Sequence, residues 1–435
     1  MGKNKNTEIG KTSKEKIKLL FYADSPGCAT GFGTVSRNII NGLYNTGRYD
    51  IKGLAINYWG DPTGLPYPLW PTGVNADKDP YGRRKVFQQI QQFEFDLLFF
   101  LQDTFILDFL PELHKTLRVK GKDFRSVVYF PIDGTPKSEW INNVNACDKL
   151  VAYSEFGKNE SLKALPGMKS PLVIPHGANT SDFFPVSESE VLSFRKHYFG
   201  TQANKFIFTN VNRNQQRKDI PRTIAAFVEF KKWVPESILY LHMAKKDQGW
   251  DLPEIVRAYG LSATTDVVFP ENFGPNQGYP RNVVNMIYNA SDCVLSTSLG
   301  EGFGLSWLES MATKTPVIMP ANTMMSEFIT EDTGWLCKSG GDPSLYTVIP
   351  NDNEVVRPLV DVNDLIRQML AVYNNGDEVK RRAENAYTWI QTKMDWQSCI
   401  VPQWVKVFDE SYTDLKSGEN KSIGQGKNVI EAETF

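Results

Sequence analysis

Short apolar runs recur along the chain and alternate with stretches whose apolar positions fall at helical spacing. This pattern predicts buried parallel strands joined by crossover helices. In the first part of the chain Ile17–Tyr22, Asp96–Leu101, Ser126–Phe130 and Lys149–Tyr153 read as strands, and Thr34–Tyr44 reads as the first helix. In the second part Lys205–Val211, Ile238–His242, Asp266–Phe269, Asp292–Ser296 and Pro316–Met319 read as strands. Helices are predicted from about Pro221 and over Leu305–Thr313, and the last ones fill about 377–415. Ser154 is placed to cap the helix after its strand. Ser187 and Glu190 have capping-box spacing, so a linker between two domains is expected to end near Pro185. Trp389, Trp396, Trp404 and Phe408 are spaced as packing anchors that bring the last helix back onto the first domain.

Length supports that division, because 435 residues exceed what one hydrophobic core organises. The net charge of −2 carries no global footprint of a nucleic-acid binder, although a local basic face can hide in an average. The five cysteines, Cys28, Cys147, Cys293, Cys337 and Cys399, are scattered and odd in number, with no Cys-x2-Cys pair. That argues against a disulfide framework and against a zinc site, and fits a reducing, cytoplasmic setting. No run approaches the roughly 20 apolar residues of a bilayer span. The lysine-rich segment 1–16 reads as a flexible solubilising tail, with contact to an anionic membrane or nucleic acid as the alternative; 416–435 reads as a second flexible tail.

The chemistry concentrates where one strand passes into its helix. Ser298-Leu-Gly-Glu-Gly-Phe-Gly-Leu-Ser-Trp-Leu-Glu309 sets Glu301 and Glu309 around a glycine-rich turn. Such a loop lies at the carboxyl end of its strand, where open α/β sheets bind ligands, and its helix start offers N–H groups to an anion. On one helix, residues eight apart are about 80° out of alignment, so the two glutamates are expected to do different jobs. Glu301 is placed to reach into a cleft and Glu309 to sit near the first helical turn. A capping turn followed by a solvated glutamate is the structural alternative. After the strand Lys205–Val211, the segment Asn212-Arg-Asn-Gln-Gln-Arg-Lys218 offers Arg213 and Lys218 as partners for a diphosphate, with Arg217 a further cation of unassigned direction. The turn Asp24-Ser-Pro-Gly-Cys-Ala-Thr-Gly-Phe-Gly33 can fold its N–H groups around a phosphate or sugar, but it lacks a Gly-Lys-Ser/Thr and is no Walker loop. Asp103 and Asp133 close two strands at the prospective cleft. Asp133 is either an acid–base group or a turn cap before Gly134, and for Asp103 the structural role ranks first. His176 has no partner at ligand spacing and is assigned a structural or hinge-facing role.

These segments together resemble the retaining nucleotide-sugar glycosyltransferases of the GT-B fold, specifically glycosyltransferase family 4. The Glu301…Glu309 spacing resembles its Glu-x7-Glu signature, Arg213…Lys218 its Arg-x4-Lys loop, and Val173–Pro185 the segment that closes its first domain. Ala23–Gly33 occupies the place of its glycine loop, and the likeness runs roughly from 17 to 395. The resemblance implies two doubly wound Rossmann-like domains facing across a cleft: an acceptor domain at 17–186 joined by the terminal helix at about 390–415, and a donor domain at 187–389. It implies that Gly31 and Gly33 approach the donor, that Glu309 holds the ribose, and that Glu301 with the N–H groups of Phe303, Gly304 and Leu305 orients the sugar. Arg213 and Lys218 would offset charge on the departing diphosphate, so that no metal and no tightly bound cofactor is needed. Where many members carry a histidine, this chain has Asp133, a departure that leaves its role open. The loop His242–Trp250 lacks the Gly-x-Gly often found there, so the base stays open, with a UDP- or GDP-sugar expected. Glu327 resembles a structural glutamate of the family.

The implied function is transfer of a sugar, with retention, from a nucleotide-diphosphate sugar to an acceptor hydroxyl on a glycan or lipid-linked glycan, in the cytoplasm or at a membrane periphery. Three alternatives stay open: transfer to hydroxymethylated DNA bases, a nucleotide-sugar epimerase, and a non-catalytic nucleotide-sugar-binding protein. A phosphorylase would need a lysine bearing pyridoxal phosphate, for which no site is evident.

Overall fold

The computed structural model describes residues 15–73, 79–274 and 278–418. The two tails expected at 1–16 and 416–435 lie outside these described residues except at their inner ends. Two parallel sheets organise the chain. The first contains β1 (Ile17–Asp24), β2 (Tyr49–Ile56), β3 (Leu69–Pro71), β4 (Leu97–Leu101), β5 (Arg125–Phe130), β6 (Lys149–Ala152) and β7 (Leu172–Val173), in the order β3-β2-β1-β4-β5-β6-β7. The second contains β8 (Phe206–Val211), β9 (Ser237–His242), β10 (Val267–Val268), β11 (Cys293–Leu295), β12 (Val317–Pro320) and β13 (Trp335–Cys337), in the order β10-β9-β8-β11-β12-β13. The strand order reverses beside β1 and beside β8, the points at whose carboxyl ends open sheets of this kind bind ligands. A hairpin of β14 (Tyr346–Val348) and β15 (Val356–Pro358) projects from the second unit.

The central strands β4 and β5 are buried along their whole length. Helices cover both faces of each sheet, and such strands read as continuous apolar runs, which is why the sequence pattern finds them. It does not mark β2, where exposed Asp50 and half-buried Lys52 interrupt the run, nor the edge strands β3, β7 and β13, too short to show a period. Ser154 caps the helix Glu155–Ala164 by accepting from the Gly157 N–H, and Ser187 with Glu190 forms a full capping box.

The chain crosses between the two units twice, and the crossings touch. The Ala178 N–H donates to the Met394 carbonyl at 2.7 Å, and the Trp396 N–H donates to the Ala178 carbonyl at 3.0 Å. The terminal helix, Val401–Ser417, then lies on the first sheet. Trp404 is fully buried and meets Tyr129 and Phe99 edge-on at 4.6 and 5.5 Å, and Phe408 meets Phe99 at 5.4 Å. Burial of aromatic rings of this size contributes about 1.5–3 kcal/mol each, enough to fix the helix to the sheet it returns to.

Candidate active site at the facing sheet edges

Glu301 stands in the loop between β11 and the helix Leu305–Ala312. Its N–H donates to Thr323 Oγ1 at 3.2 Å, and the side chain turns back to ion-pair with Lys218 Nζ. Both residues are buried, at 7% and 8% exposure, so the pair is shielded from water. Burial alone would raise the Glu301 pKa, but Lys218 and Arg217 override it and hold the carboxyl at about 2, ionised at neutral pH. Burial lowers Lys218, and Glu301 opposes that shift. Arg217 donates to the Gly300 carbonyl, lies 3.4 Å from Glu301 Oε2, and reaches Asp133 Oδ2 at 3.4 Å. Burial acts against its charge, and Asp133 and Glu301 more than compensate, so its pKa is raised.

Asp133 belongs to the loop after β5, so Arg217 bridges the two sheets. Arg357 on β15 reaches the same residue from the hairpin. Its guanidinium donates to the Asp133 carbonyl and, at 3.1 Å, to Asp133 Oδ1, while Asp352 grips its other side at 2.6 and 3.1 Å. Only 3% of the Arg357 side chain is exposed. The loops themselves are in contact, since a Cβ placed on Gly302 would lie 2.5 Å from Cβ of Pro131. A second tie comes from Glu327, whose carboxylate accepts from the N–H groups of Glu155 (3.0 Å) and Phe156. The second unit thereby supplies an anion to the start of a helix in the first, where the dipole favours it.

The other sequence candidates fall around this core. Gly304 has φ +81 and precedes Leu305, where the helix starts without a side-chain cap, leaving the N–H groups of its first turn facing the loop. Phe303 is buried against His176, ring centroids 4.7 Å apart. Glu309 lies at the start of the second turn of the helix that begins at Leu305, next to the first turn. It accepts from the Tyr288 hydroxyl at 2.8 Å, and burial pushes its pKa up to about 7. Arg213 stands apart from Lys218: it is half-exposed and makes a forked pair with Asp247 at 2.9–3.1 Å. Asp247 belongs to the loop after β9, which buried Asn214 organises by donating to Trp250 O (2.7 Å) and accepting from Trp250 N (3.0 Å). Gly31 and Gly33 open the helix Gly31–Asn45, capped by Thr30. A Cβ on Gly33 would meet Cys28 Sγ at 2.5 Å, so close packing within its own loop already demands glycine there, whereas Gly31 faces open space. Buried His176 shares a 2.7 Å hydrogen bond with the Tyr129 hydroxyl, and burial lowers it to about 3, so it is neutral at the crossing point.

Thus Asp133, Arg217, Lys218 and Glu301 form one charged chain, Arg357 and Asp352 support it, and Asn214 and Asp247 hold Arg213 and the loop after β9 apart from it. Sequence reasoning missed Arg357, Asp352, Asn214 and Asp247, which sit in a hairpin and in irregular loops; it singled out the loops that hold Asn214 and Asp247 but neither residue. Among the described residues no cluster of three His, Cys, Asp or Glu side chains is arranged to hold a metal ion, and no helix is long and apolar enough to cross a membrane.

Known structures share the fold. The chain spans 92% of its length in common with the whole of sucrose-phosphate synthase from Thermosynechococcus elongatus, at a TM-score of 0.68 and 16% identity. It matches all of Anabaena HepE in complex with UDP-glucose over 91% of this chain, at 0.67 and 17%. The fold is GT-B. Within that GT-B frame, residues 195–347 match the family described as Glycosyl transferases group 1, a segment that holds Arg213, Lys218, Glu301 and Glu309 and ends inside β14. Alpha-monoglucosyldiacylglycerol synthase of Acholeplasma laidlawii is 27% identical over 255 residues, 58% of this chain and 55% of that protein. The chain spans about half the length of the curated relatives it matches first.

Proposed function

We propose that this protein is a retaining glycosyltransferase that moves a sugar from a nucleotide-diphosphate sugar to an acceptor hydroxyl. The observation that carries the reading is the charged chain Lys218–Glu301–Arg217–Asp133, buried at Lys218 and Glu301, which joins the carboxyl edges of both sheets. Support comes from the match at residues 195–347 and from the likeness to a structure that holds UDP-glucose.

In this reading the donor lies against the second sheet. Glu309 takes the ribose hydroxyls, and the uncapped helix start at Phe303–Leu305 with Glu301 orients the sugar. Lys218 and Arg213 offset charge on the diphosphate, Lys218 as a point charge already desolvated and Arg213 through the edge of its guanidinium that Asp247 does not occupy. The bond from the anomeric carbon to the phosphate oxygen breaks as the acceptor oxygen bonds to the same face of that carbon. The acceptor proton passes to the departing phosphate oxygen. Asp133 stands where the family often has histidine, and Arg217 and Arg357 fix its carboxylate toward the sugar. Gly31 and Gly33 bring the first-domain loop over the donor. The names of the relatives refer to different products, so they do not choose the acceptor; a glycan or lipid-linked glycan, handled in the cytoplasm or at a membrane periphery, is the reading kept here. The domains are proposed as 17–186 plus the terminal helix for the acceptor, and 187–389 for the donor.

The test is transfer by Glu301→Ala and Lys218→Ala beside the wild type. Loss of at least a hundredfold in kcat in both, with folding retained by circular dichroism, supports the assignment. Full activity in either sinks it.

A further inference from the structure

Glu301 reaches Lys218 from a loop that is gripped at both ends by one short turn after β12. Asn322 in that turn is buried, and its side-chain amide donates to the Ser298 carbonyl at 3.0 Å and to Ser339 Oγ at 2.9 Å. Its neighbour Thr323 accepts from the Glu301 N–H through Oγ1 at 3.2 Å and turns the hydroxyl proton to Asn322 Oδ1 at 3.3 Å. Arg217 holds the stretch in between: its carbonyl accepts from the Leu299 N–H at 2.9 Å, and its guanidinium donates to the Gly300 carbonyl. Every residue of Ser298–Glu301 is thereby pinned through its backbone.

Thr323 makes its contact from an unfavourable backbone. Its φ is +46, in the left-handed region, and among the described non-glycine residues with positive φ it is the only β-branched one. In that region the side chain crowds the backbone, most of all when Cβ carries two heavy branches. Asp219, beside Lys218 at φ +44, is of a type that tolerates it. Glycine would take the Thr323 conformation freely, so the turn by itself does not call for threonine. A residue held in this way persists where its surroundings fix it, and such residues cluster at functional sites. Here the surroundings are the loop of Glu301 and the short helix Met325–Phe328, whose Glu327 accepts from the N–H groups of Glu155 and Phe156 in the first unit.

We infer that Thr323 is a positioning residue for Glu301, its hydroxyl fixing the loop backbone from a strained turn, with Asn322 as the second point of the clamp. The part in catalysis rests on the transferase reading; the clamp and the strain do not. The Glu301 carboxylate is drawn to Lys218 and Arg217. A diphosphate that takes up Lys218 releases much of that pull, and the direction of the carboxylate is then set by its backbone. Without the Thr323 hydroxyl the Glu301 N–H turns to water and the loop gains freedom, which misaligns the group that orients the sugar. Loss of alignment is read in kcat more than in nucleotide binding.

The experiment uses the full chain with Thr323→Ser, Thr323→Val and Thr323→Gly. Serine keeps the hydroxyl, valine keeps the branched Cβ without it, and glycine keeps neither. Hydrogen exchange, read by mass spectrometry on peptides spanning 298–304, is expected to quicken about tenfold in the valine and glycine variants and to stay near wild type with serine. Thr323→Gly is expected to melt about 2–4 °C above Thr323→Val, because both lack the hydroxyl and only valine keeps the strain. A threonine in an ordinary conformation gives the reverse order, since glycine loses more entropy on folding. The kcat for nucleotide release from UDP-, GDP- or ADP-sugar is expected to fall about tenfold in the valine and glycine variants and to recover with serine, while calorimetric binding of UDP, GDP and ADP changes less than about twofold. Unchanged exchange in the valine and glycine variants, glycine melting below valine, or wild-type kcat despite faster exchange overturns the inference. Faster exchange and the expected melting order in a protein that binds no nucleotide sugar support the clamp and remove the transferase reading.

Discussion

Replacing Arg357 tests how far the hairpin of the second unit governs the site in the first. The side chain is 3% exposed, and its two carboxylate partners, Asp352 and Asp133, are 19% and 34% exposed. Removing one member of a buried pair costs about 3–5 kcal/mol, because the other is left uncompensated. Asp133 is about a third open to solvent and keeps Arg217 at 3.4 Å, so its share is discounted to about 1–1.5 kcal/mol. Asp352 lies on the hairpin itself and contributes roughly 1–2 kcal/mol to local order. Only the Asp133 share spans the crevice, and about 1.4 kcal/mol corresponds to tenfold. Arg357→Ala is therefore expected to lower kcat/KM about tenfold while nucleotide binding, which the proposed function assigns to the second sheet, changes less than twofold. Arg357→Lys keeps the charge but not the fork and recovers only part. The assay is steady-state transfer in a double-mutant cycle with Asp133→Asn. A coupling energy near zero between Arg357 and Asp133, with both variants folded, would refute the reasoning.

Three further outcomes follow from the same contacts. Glu309 has its pKa raised from 4.5 to about 7, so its protonated form is favoured on folding, and stability present at acidic pH is lost as pH rises through that window. Glu309→Gln is expected to raise stability at pH 8 by about 2 kcal/mol after discounting partial exposure, but not at pH 4, read by thermal unfolding, while weakening nucleotide-sugar binding; equal effects at both pH values contradict this. Glu327→Ala removes the anion that the second unit lends to the helix at Glu155, and is expected to lower the melting temperature by about 1 kcal/mol in stability, read by thermal unfolding. Gly302→Ala sets a methyl against Pro131 and is expected to abolish activity with little change in the isolated folds, read by turnover and small-angle scattering; an active variant denies that the loops touch in solution.

Legibility in the sequence followed burial. Strands covered on both faces, such as β4, β5, β8 and β11, announce themselves as apolar runs, and the loops after them hold the candidates Asp133, Lys218 and Glu301, which the sequence alone singles out. Direction was not legible. Arg217 and Lys218 are adjacent, and which carboxylate each faces depends on the turn Gln216–Lys218 and on left-handed Asp219, which lie between strand and helix. Nor could sequence separation show that Arg357 meets Asp133, or that Arg213 turns to Asp247, because those contacts depend on how irregular loops close.

The central claim is that the charged chain at Glu301 serves a nucleotide sugar. The most direct measurement is nucleotide release from UDP-, GDP- and ADP-sugars by the purified protein, with methyl glucoside and glucosamine as acceptors and Glu301→Ala alongside. The account predicts release from one donor, stimulated by acceptor and lost in the variant. Release that persists in Glu301→Ala, or no binding of any of the three donors by the wild type, would contradict it.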